Sequence, residues 1–203
     1  NPVSFLNQLS ENDGHGGPVF VRAGATYHLT KQDHFNIGAF GMFGDRNQTT
    51  TINYSSNIPG SFAERQRITD SKNKMKGGNV ELGYKHDFSK TSNLDITASW
   101  NPWSMDGTSI YKQRSQYDAG GEDFSYQRQE SDMRSNGWEL QADYVNAFSE
   151  NSKLEAGYKG TMSREKSPVE TFSGTTVDDE QPDEELYNKF YYDRDIQALY
   201  ATY

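Results

Sequence analysis

Strict two-residue alternation, repeated hairpin after hairpin, constrains this chain more than any other feature. From Gly137 to Met162 the sequence reads GWELQADYVNAFSENSKLEAGYKGTM. Trp138, Leu140, Ala142, Tyr144 and Phe148 alternate with Glu139, Gln141, Asp143 and Val145. After the polar turn Ser149 to Lys153, Leu154, Ala156, Tyr158 and Met162 alternate with Glu155, Gly157 and Lys159. Successive side chains of a strand point to opposite faces, so this stretch predicts a β-hairpin with one apolar and one charged face. The pattern recurs at Gly78 to Trp103, around a turn at Ser89 to Asn93, and at Val19 to Phe43, around a turn at Lys31 to His34. Three copies about sixty residues apart describe a repeat, and a repeat decides the fold before any motif does.

The solvent that meets the apolar face follows from spacing. Trp138 and Phe148 bracket the apolar run ten positions apart. At about 3.3 Å per residue and a tilt of about 40°, that projects to roughly 25 Å, the height of the lipid-facing band of an outer-membrane barrel. Aromatics also end the second copy, with Tyr84 and Phe88 beside the turn and Trp100 and Trp103 at the far end, as interfacial girdles would. A soluble antiparallel sandwich would carry a similar pattern. Connection lengths separate the two. The alternation predicts strands at about 19–30, 35–44, 79–88, 94–103, 137–148, 154–162 and 190–203, with Ile196, Ala198 and Tyr200 sharing a face of the last. Between them lie short turns on one side and long segments, 45–77, 104–136 and 163–189, on the other, and the lead-in Asn1 to Pro18, with Val3, Phe5 and Leu6, reads as a loop end. Compact soluble domains seldom use connections beyond about 15 residues, whereas outer-membrane barrels join short periplasmic turns to long extracellular loops.

The expected fold is therefore all-β: antiparallel up-and-down hairpins, about seven strands of a larger transmembrane barrel, with residues 1–203 forming one partial barrel domain. Seven strands cannot close a bacterial barrel, which needs an even number of at least eight. A chain that starts in a loop and stops in a strand is expected to be a piece. As an open sheet it would expose two unpaired edges and an apolar face. A mean hydropathy of −0.96 does not oppose a barrel, since only alternate residues of short segments face lipid. No run of about 20 apolar residues marks a transmembrane helix, and no signal peptide opens the chain. With no cysteine, disulfides and thiolate metal sites are excluded, and a net charge of −9 without a basic stripe makes nucleic acid an unsuitable partner.

Motifs add little chemistry. Gly38, Gly41 and Gly44 lie along a predicted strand with no helix after it, so they read as relief of curvature and not as a phosphate loop. His15, His28, His34 and His86 stand apart in sequence without ligand spacing. The run Asp178, Asp179, Glu180, Asp183, Glu184 and Glu185 lacks the glycine and spacing of a calcium loop and reads as a solvated acidic loop. A basic cluster, Arg65, Arg67, Lys72, Lys74 and Lys76, falls in the first long segment. No nucleophile, base and carboxylate grouping supports an enzyme, and no catalytic, cofactor or metal residue is assigned. The charges of the strands tell more. Arg22, Lys85, Lys159, Glu81, Asp87, Asp95, Glu139, Asp143 and Glu155 are expected on one surface, which must be wet or packed on polar protein because each would cost about 2 to 4 kcal/mol against lipid. The aromatics Trp103, Tyr111, Tyr117, Phe124 and Tyr126, dense in one expected loop, are candidates for capturing a ligand.

The segments Gly83 to Ile96 (GYKHDFSKTSNLDI), Asp143 to Lys159 (DYVNAFSENSKLEAGYK) and Asn188 to Tyr203 (NKFYYDRDIQALYATY) resemble the barrel of TonB-dependent outer-membrane receptors, of the outer-membrane β-barrel family common in Bacteroidetes. The resemblance covers about Val19 to Tyr203. It implies a large barrel in the outer membrane of a Gram-negative bacterium, in contact with lipid and filled by an N-terminal plug. It also implies uptake of a ferric siderophore, cobalamin or an oligosaccharide, energised through TonB. No plug and no TonB-contacting segment is visible in this chain, and no functional residue transfers by position. The competing expectation is a non-transport surface β-sheet, an adhesin or assembly module.

Overall fold

The computed structural model describes residues 4–203, which form one antiparallel sheet without a helix. The strands are β1 (Leu6–His28), β2 (Asp33–Ser56), β3 (Glu64–Ser89), β4 (Ser92–Gln116), β5 (Glu122–Ser149), β6 (Ser152–Gly174), a two-residue β7 (Gln181–Pro182) and β8 (Asn188–Thr202). Each pairs with its neighbour in sequence from β1 to β6; β7 and then β8 share the far side of β6. The architecture is the expected all-β, up-and-down meander, open and unclosed.

The registers settle the faces. One rung runs Ala39, Val80, Trp100, Trp138, Met162 and Asp195 across β2 to β8, and the rungs toward the short turns carry Ile37, Leu82, Ala98 and Leu140, then Phe35, Tyr84, Ile96, Ala142 and Tyr158. In-register partners share a face. The apolar members of every hairpin therefore join into one continuous band, and we call this side the banded face and the other the polar face. Aromatic pairs mark the band's limits. Trp100 stacks on Trp138 with centroids 5.6 Å apart at one limit, and Phe88 meets Tyr144 edge-on at 6.2 Å at the other, while Phe35 and Tyr84, 4.8 Å apart, lie between these limits.

The strands run far beyond the expected limits. The segments expected as loops, 45–77, 104–136 and 163–189, are mostly strand, and the irregular stretches shrink to 57–63, 117–121 and 175–187, the last holding β7. The lead-in is strand from Leu6 onward; Val3 lies outside the described residues. The asymmetry expected in loop length is thus an asymmetry of strand length beyond the band. The physical reason is contrast. Past Trp100 and Trp138 the banded face turns abruptly charged, through Lys76, Asp106, Asp132, Arg134 and Arg164, so both faces are polar. The backbone ladder continues while the apolar alternation that reveals it stops. At the tip between β4 and β5, Gly120 and Gly121 take φ of +84° and +102°, a left-handed conformation open to glycine at no steric cost.

There is almost no core. Among the described residues only one apolar side chain, Tyr126, is buried, and every residue of β1 and β8 is exposed. The accessible surface is 13919 Å², against about 9,600 Å² for a compact monomer of this mass. The sheet's apolar band and two edges must therefore be covered by something else. In plain buffer the isolated chain is expected to self-associate, and to become monodisperse only with detergent. Light scattering on a size-exclusion column checks this; a monodisperse monomer without detergent would contradict an exposed lipid-scale band.

Candidate functional site on the polar face

Opposite the band, the polar face is built from charge. Arg22, Lys85, Lys159, Glu81, Asp87, Asp95, Glu139, Asp143 and Glu155 all fall on this one side, as the alternation predicts. Lys159 Nζ donates to Glu139 Oε1 at 2.9 Å, and Lys85 lies 3.5 Å from Asp87. Asp95 and Asp143 are direct cross-strand partners, with Lys85 across from Asp95 on its other side. Asp143 accepts hydrogen bonds from Gln141 Nε2 at 2.7 Å and from the Tyr200 hydroxyl. Tyr200 reaches it by lying across Gly157, where an added Cβ would sit 2.3 Å from the ring. The terminal-strand set Ile196, Ala198 and Tyr200 thus belongs to the polar face, while Leu199 and Ala201 stand on the banded face. Six carboxylates against three cations make this wall fit only for water or for polar protein carrying its own hydrogen bonds.

Beyond the band the polar face changes chemistry. It becomes rich in Ser, Thr, Asn and Gln, and near the tips it gathers Arg65 and Arg67 of β3, Tyr111 and Gln113 of β4, Ser125, Gln127 and Gln129 of β5, and Ser173 of β6. A cavity of about 250 Å³ lies over Arg67, Tyr111, Gln113, Gln127 and Ser173. The Arg67 guanidinium sits 4.9 Å from the Tyr111 ring centroid and forms no ion pair among the described residues. Arg65 packs on Phe62 at 3.9 Å and donates from Nε to Ser115 Oγ at 2.9 Å. The Tyr111 hydroxyl donates to Gln129 Oε1 at 3.4 Å. An aromatic surface, an uncompensated guanidinium and several amides together suit a polyhydroxylated or anionic ligand.

The structure redistributes several residues singled out above. The five loop aromatics do not converge: Trp103 and Tyr111 stand on the polar face of β4, Phe124 and Tyr126 on the banded side of β5, and Tyr117 at the tip. The basic cluster also splits, with Arg65 and Arg67 on the polar face and Lys72, Lys74 and Lys76 on the banded face. His28 and His34, apart in sequence, are cross-strand partners with ring centroids 4.7 Å apart, and His34 lies 3.3 Å from Asp87. His86 is on the opposite face, 2.7 Å from Asp33. Of the three glycines in β2, Gly44 alone is crowded, its missing Cβ leaving 2.4 Å to Gly17 O.

The acidic run is partly spent on holding its own loop. Glu180 binds Arg128 through both carboxylate oxygens at 2.8 and 3.1 Å, and Arg128 stands 4.0 Å over Phe172. Asp183 accepts from Ser173 Oγ at 2.9 Å. Asp179 accepts from the backbone N–H of Thr175 at 3.0 Å and of Thr176 at 2.6 Å, and from both hydroxyls. The Thr175 hydroxyl above all, then the Thr176 N–H, holds the Asp179 pKa at about 2, below its ordinary 3.8. Since the folded value is the lower one, this closure is complete above about pH 4 and is lost as the pH falls through the folded value. A carboxyl-carbon NMR titration is expected to place the Asp179 midpoint near 2, and Thr175→Val to raise it; an ordinary midpoint would mean the loop is not closed this way.

Compared with known proteins, residues 86–203, over half of the chain, match the outer membrane protein beta-barrel family. No curated protein matches the sequence.

Proposed function

Because the chain belongs to the outer membrane protein beta-barrel family, which places it in a bacterial outer membrane, we propose that it is part of the wall of a receptor that takes up a scarce nutrient by TonB-energised transport. The observation that carries this reading is the division of the polar face. Charged residues line the part opposite the band, and an arginine, aromatic and amide surface lines the part beyond it. A lumen holding a polar plug needs the first; a vestibule that collects cargo needs the second. The banded face meets outer-membrane lipid, its aromatic pairs lying at the two interfaces. The exposed edges of β1 and β8 pair with further strands of the same barrel, as open edges require. The cargo is a ferric siderophore, cobalamin or an oligosaccharide, and the host is a Gram-negative bacterium of Bacteroidetes type.

The test uses cells with and without the full-length protein. Deleting it is expected to abolish accumulation of one of the three cargo classes supplied at limiting concentration, and an uncoupler that collapses the proton gradient is expected to abolish the same accumulation in wild-type cells. Uptake of every class unchanged by deletion would sink the proposal, as would uptake that persists without the gradient.

A further inference from the structure

The hairpin of β1 and β2 brings two histidines to its last rung before the short turn at 29–32. His28 and His34 are cross-strand partners there, both on the polar face. The next pair toward the turn, Leu29 and Asp33, is joined by a bond from the Leu29 N–H to Asp33 O at 3.0 Å. Hydrogen-bonded and non-hydrogen-bonded pairs alternate along an antiparallel ladder, so His28 and His34 form a non-hydrogen-bonded pair, the kind whose side chains come closest. Their rings meet edge-on, with the two Nδ1 atoms 2.5 Å apart.

Asp87 fixes which nitrogen of His34 carries the proton. A carboxylate only accepts, so the 3.3 Å contact between His34 Nε2 and Asp87 Oδ2 is a bond donated by His34. A neutral His34 protonated on Nε2 turns the lone pair of Nδ1 toward His28. Without a metal, the proton in that gap must come from His28 Nδ1; with one, both Nδ1 lone pairs bind the ion and the proton leaves. At about 2.0–2.1 Å per bond, two nitrogens on a tetrahedral ion stand about 3.3 Å apart, so the rings need to open by about 0.8 Å. His28 is exposed and His34 half-buried, which leaves room for that movement. Lys85, across from His34 on β3, has its ammonium 3.5 Å from the other oxygen of the Asp87 carboxylate, so its charge is balanced where it stands. The other two histidines of the chain are engaged elsewhere, His86 with Asp33 on the banded face and His15 with Asn47 Nδ2 at 3.3 Å.

We propose that His28 and His34 hold a divalent transition-metal ion through their Nδ1 atoms, with Asp87 as the positioning residue behind His34. Imidazole suits zinc, copper and nickel, whereas magnesium and calcium take oxygen ligands. A carboxylate that accepts the second ring N–H orients a metal-bound histidine, and Asp87 stands where that role requires. Among the described residues no group of three ligand side chains forms, so the pair supplies two ligands and water completes the shell. The ion ties β1 to β2 at the end of their ladder. The site rests on the register of this hairpin and not on the uptake reading or the identity of the cargo.

The experiment uses the full-length protein, free of any histidine tag, stripped with a chelator in detergent and titrated with Zn²⁺ by calorimetry. Wild-type protein is expected to bind one equivalent more than the variant combining His28→Gln with His34→Gln. Asp87→Asn, which keeps both ligands, is expected to retain that equivalent at about tenfold weaker affinity. With Cu²⁺ in place of Zn²⁺, the electron-spin resonance spectrum of the same equivalent is expected to show two imidazole nitrogens, and one in His28→Gln. His15→Gln is the control and is expected to bind as wild type. Retained heat modifiability shows that each variant is folded, and should the double variant fail to fold, His28→Gln alone is expected to lose the Zn²⁺ equivalent. Equal stoichiometry in wild type and whichever folded variant is measured overturns the proposal, as does a wild-type copper spectrum with a single imidazole nitrogen or loss of the same equivalent in His15→Gln. Affinity unchanged in Asp87→Asn overturns the positioning role. Nutrient uptake by the same variants reads the transport proposal separately, since uptake can persist while metal binding is lost, and the reverse.

Discussion

Replacing Ala142 by arginine is expected to destabilise the folded protein in the membrane by about 2–4 kcal/mol, while arginine at the adjacent Gln141 is expected to cost about 1 kcal/mol or less. The two positions are neighbours in sequence and opposites in surroundings. Ala142 lies mid-band, across from Ile96 on one side and Tyr158 on the other, with Leu140 and Tyr144 above and below it on the same face. A guanidinium there meets apolar side chains and tyrosine hydroxyls but no carboxylate in its cross-strand or same-face neighbours, at the depth where lipid is driest. Gln141 lies across from Thr97 and Lys159, with Glu139 and Asp143 two residues away on the same strand and face. An arginine there gains two carboxylate neighbours against one lysine. Urea unfolding of the full-length protein in lipid vesicles measures both. Equal losses at the two positions would mean that the faces are misassigned or that the band does not meet lipid. A large loss at Gln141 alone would invert the barrel.

That contrast was open to reading from the sequence, because the strands opposite the band combine apolar side chains with charged ones. Every one of the nine charges expected on a common surface is found there, from Arg22 on β1 to Lys159 on β6. Where both faces are polar, no apolar alternation marks the strand. The stretch from Arg65 to Lys76 reads as one basic cluster only if it is a loop. Once it is strand, parity alone sends Arg65 and Arg67 to one side and Lys72, Lys74 and Lys76 to the other. A weaker alternation was present in Lys72, Asn73, Lys74, Met75 and Lys76, in which charge and not hydrophobicity has period two. The pairing of His28 with His34 was legible too, since a tight turn at 29–32 makes them cross-strand partners. The face of β8 was not. Ile196, Ala198 and Tyr200 alternate with Gln197, Leu199 and Ala201, and both sets are apolar enough to face lipid. Only the register with β6, which sets Tyr200 over Gly157, assigns them.

The polar face beyond the band makes the remaining prediction. Substituting Tyr111 by alanine is expected to raise the half-saturating concentration for whichever cargo the uptake assay identifies by about five- to thirtyfold, the equivalent of about 1–2 kcal/mol for losing an aromatic platform with its cation–π partner. Arg67→Ala is expected to act in the same direction, and the double variant to lose less than the sum, because the guanidinium is held over the ring it shares the cavity with. Tyr111→Phe separates ring from hydroxyl: it keeps the stacking surface and gives up only the 3.4 Å hydrogen bond to Gln129. A platform role predicts near-normal uptake from Tyr111→Phe; a role for the hydroxyl predicts the loss seen with alanine. Phe124, which the sequence places in the same neighbourhood, is the control, since it stands 54% exposed on the other side of the sheet. If Phe124→Ala impairs uptake as much as Tyr111→Ala, cargo does not approach along the polar face. If neither does, the arginine and tyrosine serve the packing of the strand tips, and the vestibule must be built from parts of the barrel other than β3 to β6.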